Sequence, residues 1–150
     1  MPAARLATGG DLKPLLDLLP HANPDMPLLP DERARRIWSE MMSRDGVFVL
    51  VSEAGSKIVA SCMLITAPNL MRGGRGHGFI ENVVTHRGFR RQGHGKAVMT
   101  AALEMAWAHD CYHVLLQSGR KDPGVHRFYE DCGLEPGLRI GYVARRPSSS

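Results

Sequence analysis

Arg90-Arg91-Gln92-Gly93-His94-Gly95 lies between an apolar run, Phe79 to Val84, and a helix-like run, Lys96 to Ala108. The order reads as a strand, a basic turn bearing glycines, and the start of a helix. The first N–H groups of a helix have no partner within it, and that end carries partial positive charge. Gly93 and Gly95 remove side chains that would keep a phosphate from those donors, and Arg90 and Arg91 add full charge at the same place. The stretch is therefore an anion site, and it sets the rest of the reading.

Working outward, charge follows the turn. The chain of 150 residues carries a formal net charge of +4. From Arg72 to Lys96 the basic residues Arg72, Arg75, Arg87, Arg90, Arg91 and Lys96 face one acid, Glu81, so this segment alone is +5 and the remainder −1. Positive potential that local suits a compact anion better than a long nucleic acid footprint, and no nucleic acid partner is expected. The alternative is a solvated arginine-rich loop. A hydrophobic content of 43% supports one domain with a real core over residues 1–150. Cys62, Cys111 and Cys132 are odd in number and widely spaced, and no apolar leader or spanning run is present. A cytoplasmic, reducing setting away from membranes is the expectation.

Periodicity supplies the elements. Ala4 to Ala7 reads as a short strand and Asp11 to Leu19 as a helix, with Leu12, Leu15, Leu16 and Leu19 at helical spacing. Four prolines make Pro20 to Pro30 a loop, after which Asp31, as N-cap, opens a helix to Met42. Val47 to Glu53 and Lys57 to Thr66 form a hairpin about Ala54-Gly55-Ser56. A glycine-rich basic loop, Pro68 to Gly78, leads to the strand Gly78 to Val84, then the turn and a helix to Ala108. His113 to Gln117 is a strand. Val125, Phe128, Tyr129 and Cys132 mark a short helix ended by Gly133. Leu138 to Ala144 reads as the last strand and Arg145 to Ser150 as a disordered tail. The expected fold class is α/β (α+β): a mixed, mostly antiparallel sheet of six to seven strands flanked by about four helices.

Two other phosphate-binding patterns fit less well. A dinucleotide site wants GxGxxG after the first strand and an acid about 20 residues on. A Walker A loop wants Gly-Lys-Ser/Thr, where this chain has Gly95-Lys96-Ala97. None of His77, His86, His94 and His126 has metal-like spacing. Cys111 and His113 share one face of a predicted strand and read as structural, so no metal is expected.

With Arg90, Gly93 and Gly95 in place after a strand, and Phe128-Tyr129 before Gly133-Leu134, the chain resembles the GNAT superfamily of acetyl-CoA-dependent N-acetyltransferases. The order of elements from Ala4 to Ala144 follows that family. The resemblance implies acetyl-CoA as co-substrate, with backbone N–H groups from Gln92 through Gly93, His94 and Gly95 to Lys96 on its pyrophosphate, aided by Arg90 and Arg91. It implies that Val83, Val84 and Thr85 pair their main chain with the pantetheine arm, and that Asp122 and Phe128 lie beside the cofactor. Asp122 stands where many relatives carry Asn, and Thr85 where an aliphatic residue is usual.

Tyr129 resembles the residue that protonates the departing thiolate, a role a nearby phenol fills as charge builds on sulfur; the competing reading is a core tyrosine. The attacking amine must be neutral, so a base or a water chain is needed. Glu81, alone among apolar neighbours, is the candidate base; an edge glutamate or a salt bridge to Arg72 or Arg75 is the alternative. Asn82 beside it faces the other side of the strand and is assigned to substrate. The segment Ile80-Glu81-Asn82-Val83-Val84 looks like the branch that acetylates small amines, including amino-sugar phosphates. An acceptor carrying an anion, held by Arg72 or Arg75, is the expectation. Acetylation of a protein amine, and a non-catalytic acyl-CoA-binding domain, stay open. A homodimer pairing through Leu138 to Ala144 follows from the resemblance.

Overall fold

Gly55 at φ 62° lies in the turn of a hairpin between β2 (Val47–Ala54) and β3 (Lys57–Ala67), which pair antiparallel. The computed structural model describes residues 2–148. The sheet has five strands in the order β1-β2-β3-β4-β5, with β1 at Ala4–Leu6, β4 at Gly76–Thr85 and β5 at Cys111–Leu116. Every pair is antiparallel except β4 with β5. The helices are α1 (Leu12–Leu18), α2 (Asp31–Ser43), α3 (His94–Ala108) and α4 (Pro123–Asp131). The chain divides into two compact units, one ending at Leu116 and the other starting at Gln117.

Alternation along β2 sorts the first unit into layers. Val49 and Val51 join Leu15, Leu18 and Trp38 of α1 and α2 in one core cluster. On the other face α3 buries Val98, Met99, Ala102 and Ala106 completely, and the Cys62 thiol of β3 donates to the Val98 carbonyl at 3.5 Å. The two alanines let the helix lie close to the sheet, and this packing fixes where α3 begins.

Three expectations are corrected. Leu138 to Ala144 is not a strand: among the described residues this segment has no ladder partner, and Leu138, Ile140, Tyr142 and Val143 are 74–87% exposed. The sheet therefore has five strands rather than six or seven. Asp31 is the first helical residue, with Pro30 in the cap position; Pro30 O accepts from Ala34 N at 2.9 Å. Proline is pre-set for that place, and Asp31 acts through the helix dipole instead. Finally, Gly76 pairs with Cys111 but His77 with His113, which leaves Tyr112 as an extra residue. The bulge puts Cys111 on the same side as Val114, under Gly78, while the His113 ring stacks with Tyr112. Cys111 and His113 thus part company. Of the expected tail, Arg145 to Ser148 has no regular structure, and Ser149 and Ser150 lie outside the described residues.

β1 is tied to α1 by charge. The Arg5 guanidinium makes two hydrogen bonds to the Asp11 carboxylate, at 2.7 and 3.0 Å, and also pairs with Glu53. The Thr8 N–H adds a third bond to Asp11 at 2.7 Å. Arg5 first, then Thr8, hold the Asp11 carboxyl down at about 2, against the opposing effect of burial. A depressed carboxyl stabilises the fold above its unfolded value near 4 and loses that contribution as pH falls through the folded value. Between pH 4 and pH 2 the wild-type chain should lose roughly 2 kcal/mol that Asp11→Asn does not. Denaturant melts across that window, showing equal losses in both proteins, would disprove the assignment.

Candidate active site

β4 begins as an interior strand and ends as a half-paired one. Its ladder with β5 runs from Gly76 to Ile80 opposite Leu116, while its pairing with β3 continues to Thr85. From Glu81 to Thr85 the main chain therefore has no β5 partner. The strand also bulges there: Ser61 pairs with Val84 and Met63 with Glu81, so Asn82 and Val83 oppose Cys62 alone. Asn82 adopts φ 55°, a left-handed conformation that Asn tolerates better than most residues. Strict alternation fails at this point. Asn82, like Met63, lines an apolar cavity of about 170 Å³ with Leu12, Leu15 and Trp38. The sequence held no sign of the bulge or the cavity, because both depend on which strands pair and for how long.

The expected pantetheine residues occupy that half-paired segment. Val84 is 4% exposed and its side chain belongs to the core cluster, leaving its main chain for any contact; Val83 and Thr85 are half-buried. Glu81 is exposed and pairs through its backbone with Met63.

The basic turn follows as expected. His86 caps a short helical turn over Arg87–Phe89 by accepting from the Gly88 N–H at 2.9 Å. Arg91 at φ 60° and Gly93 at φ 90° then reverse the chain into α3, with Gly93 as its N-cap. No side chain caps α3, so its first main-chain donors are left for another acceptor. A Cβ on Gly93 would lie 3.4 Å from Pro2 as well as forcing a strained φ. Arg90, Arg91 and Gln92 are exposed, and Lys96 projects from the first helical turn. A pyrophosphate suits this set of groups: orphan N–H donors, a dipole of the right sign and flanking cations.

Arg72 and Arg75 are brought to the other end of β4. Arg75 lies six residues before Glu81, or about 20 Å of extended strand, and pairs with Asp110 at 3.4 Å. The Arg72 guanidinium stands 5.5 Å from the centre of the Tyr112 ring. Neither forms a salt bridge with Glu81. A strand carries residues apart faster than a helix does, so closeness in sequence is not closeness in space here.

In the second unit Asp122 caps α4, accepting from the Gly124 N–H at 2.8 Å, with Pro123 at the first helical position. Phe128 and Tyr129 lie on this helix with ring centres 5.3 Å apart. Gly133 at φ 93° ends it, and Leu134 N reaches back to Tyr129 O at 3.1 Å. The Gly133 end was legible in the sequence.

Comparison with known proteins decides the family. A profile described as the acetyltransferase (GNAT) family matches residues 13–134. The chain belongs to the GNAT acetyltransferase family. A glucosamine 6-phosphate N-acetyltransferase of Trypanosoma brucei brucei is 34% identical over 132 residues, which is 87% of this chain and 86% of that protein. A solved acetyltransferase candidate from Agrobacterium tumefaciens str. C58 superposes with a TM-score of 0.91 at 39% identity, covering 96% and 99% of the two chains. A glucosamine-6-phosphate N-acetyltransferase structure from Arabidopsis thaliana, at 24% identity and a TM-score of 0.81, covers 95% and 98% and shares the fold. As a GNAT enzyme the chain is an acetyl-CoA-dependent N-acetyltransferase. Gly93→Ala should cost about 1–2 kcal/mol of stability through its left-handed φ and weaken acetyl-CoA binding about tenfold. Calorimetric titration giving wild-type affinity would show that the turn does not need this backbone shape.

Proposed function

We propose that this GNAT enzyme moves the acetyl group of acetyl-CoA onto the primary amine of a small phosphorylated amino compound, an amino-sugar phosphate in the first instance. The half-paired end of β4, running into an uncapped helix N-terminus, is the observation that carries the reading. It offers main-chain groups from Val83 to Thr85 for an amide-bearing arm and N–H donors from Gln92 to Lys96 for a pyrophosphate. The names of the relatives from Trypanosoma brucei brucei and Arabidopsis thaliana support the acceptor class.

In the reaction the amine nitrogen bonds to the thioester carbonyl carbon, and the carbon–sulfur bond breaks with its electron pair on sulfur. Tyr129 gives its hydroxyl proton to that thiolate, and Glu81, directly or through water, accepts the proton that the amine loses. Glu81 stands beside the bulge with no ion pair among the described residues, which leaves its carboxylate available. Asn82, on the cavity wall, contacts the acceptor. Asp122 and Phe128 border the cofactor. The acceptor's anion is held elsewhere than by Arg72 and Arg75 of the same chain, given their distance along β4. Three widely spaced cysteines, an odd number, fit a reducing, cytoplasmic compartment, and among the described residues no helix is long and apolar enough to cross a membrane. Residues 1–150 work as one acetyltransferase domain.

Acetyl transfer should be at least about tenfold faster to an amino-sugar phosphate than to the same sugar without phosphate, a difference of about 1.4 kcal/mol. Tyr129→Phe should lower kcat by about 10²-fold on the better acceptor while leaving the KM for acetyl-CoA unchanged. Equal rates on the two sugars would remove the anionic acceptor, and an unaffected kcat would remove Tyr129 from proton transfer.

The exposed segment from Leu138 to Ala144 supports a homodimer. Leu138, Ile140 and Tyr142 alternate with Arg139 and Gly141 as strand residues do, yet have no ladder partner among the described residues. Pairing with a second copy would cover them. Sedimentation should give a particle of two chains, reduced to one by Ile140→Lys combined with Tyr142→Lys; a wild-type monomer would refute it.

A further inference from the structure

His94 serves the fold twice. Its N–H belongs to the basic turn, but its side chain points the other way. His94 is 8% exposed, and its Nδ1 lies 2.7 Å from Oγ of Ser52, a β2 residue that is 1% exposed. Ser52 stands between Ala4 and Ala60 in the ladder, and these methyl-sized neighbours leave room for a ring on that face of the sheet. The ring of Phe89 closes the other side edge-on, with centres 6.0 Å apart.

A buried imidazole is costly unless it is hydrogen-bonded, whereas an apolar side chain would fill the same space without that requirement. What the polar pair adds is direction. Apolar contacts such as those of Val98 and Met99 hold α3 against the sheet but tolerate small slides and rotations. A short hydrogen bond from the first residue of α3 to the second strand does not. The turn it anchors carries two left-handed residues, Arg91 and Gly93. Such conformations persist only where the surroundings over-determine them.

We propose that Ser52 and His94 act together as positioning residues for acetyl-CoA. Their buried hydrogen bond locks the imidazole inward, and so aims the main-chain N–H groups of the turn at the pyrophosphate. The proposal rests on the turn being the pyrophosphate site, and neither side chain touches the reacting atoms. The pair acts on cofactor affinity and leaves proton transfer alone.

The test measures steady-state kinetics, acetyl-CoA affinity by calorimetric titration, and Tm in four variants. Ser52→Ala and His94→Leu each raise the KM and Kd for acetyl-CoA about tenfold, with kcat and the acceptor KM within about twofold of wild type. In His94→Asn, the amide takes the place of Nδ1 and recovers most of the affinity. Ser52→Ala combined with His94→Leu leaves no polar group unpaired, so it regains Tm but keeps the raised KM. Recovery of KM in that double variant, an Asn variant as weak as the Leu one, or a fall in kcat with KM intact would each overturn the proposal. Wild-type chain that fails to bind acetyl-CoA would overturn the reading of the turn itself, and this proposal with it. Normal wild-type binding with unmoved variants would overturn the proposal alone.

Discussion

The packing of α3 on the sheet is the contact on which the anion site depends. Ala102 and Ala106 are fully buried and small, so the helix axis lies close to β3, and Val98 and Met99 fill the space beside them. A helix held this firmly has a fixed N-terminus. Its first N–H groups therefore hold a constant position relative to the end of β4, and the dipole and donors that the proposed function uses stay in one place. The Ser52–His94 bond adds a directional tie at the very start of the helix, and the Cys62 thiol on the Val98 carbonyl adds another one turn further on.

A second constraint acts on β4. A strand interior to a sheet normally spends its main-chain groups on both neighbours. Here β5 stops opposite Ile80, and the bulge at Asn82 and Val83 turns the next residues out of register. The free edge this produces would be an aggregation hazard on an exposed strand. Here it is confined to a few residues beside the helix N-terminus, where the proposed function puts an extended amide-bearing arm. The same bulge accompanies Asn82 on the wall of the apolar cavity, so one local irregularity shapes both the open strand end and the cavity lining.

Much of this was legible without coordinates, for identifiable reasons. The turn from Arg90 to Gly95 rests on local rules: glycine where φ is positive, and a helix pattern that follows. The α4 helix is equally local, marked by the spacing of Val125, Phe128, Tyr129 and Cys132 and closed by Gly133. The half-paired end of β4 was not legible, because no residue within Glu81 to Thr85 records how far β5 extends. The surroundings of Arg72 and Arg75 were hidden for a related reason. Six residues of strand separate Arg75 from Glu81 more widely than the run of basic residues suggested, and Asp110 and Tyr112, distant in sequence, engage the two arginines. The segment from Leu138 to Ala144 has the alternation of a strand, yet pattern supplies only one side of a ladder.

By itself, then, the sequence determined the local chemistry: an anion turn, its cations, the helix that follows it, and a capped helix carrying Phe128 and Tyr129. Those features depend on side-chain type and backbone preference over a few neighbouring residues. Only the tertiary structure decided where β4 loses its partner, that Asn82 sits in a bulge on a cavity wall, and that His94 turns inward to Ser52. Each of these depends on residues brought together from distant parts of the chain, and their energy is that of packing and pairing, which no short stretch of sequence contains.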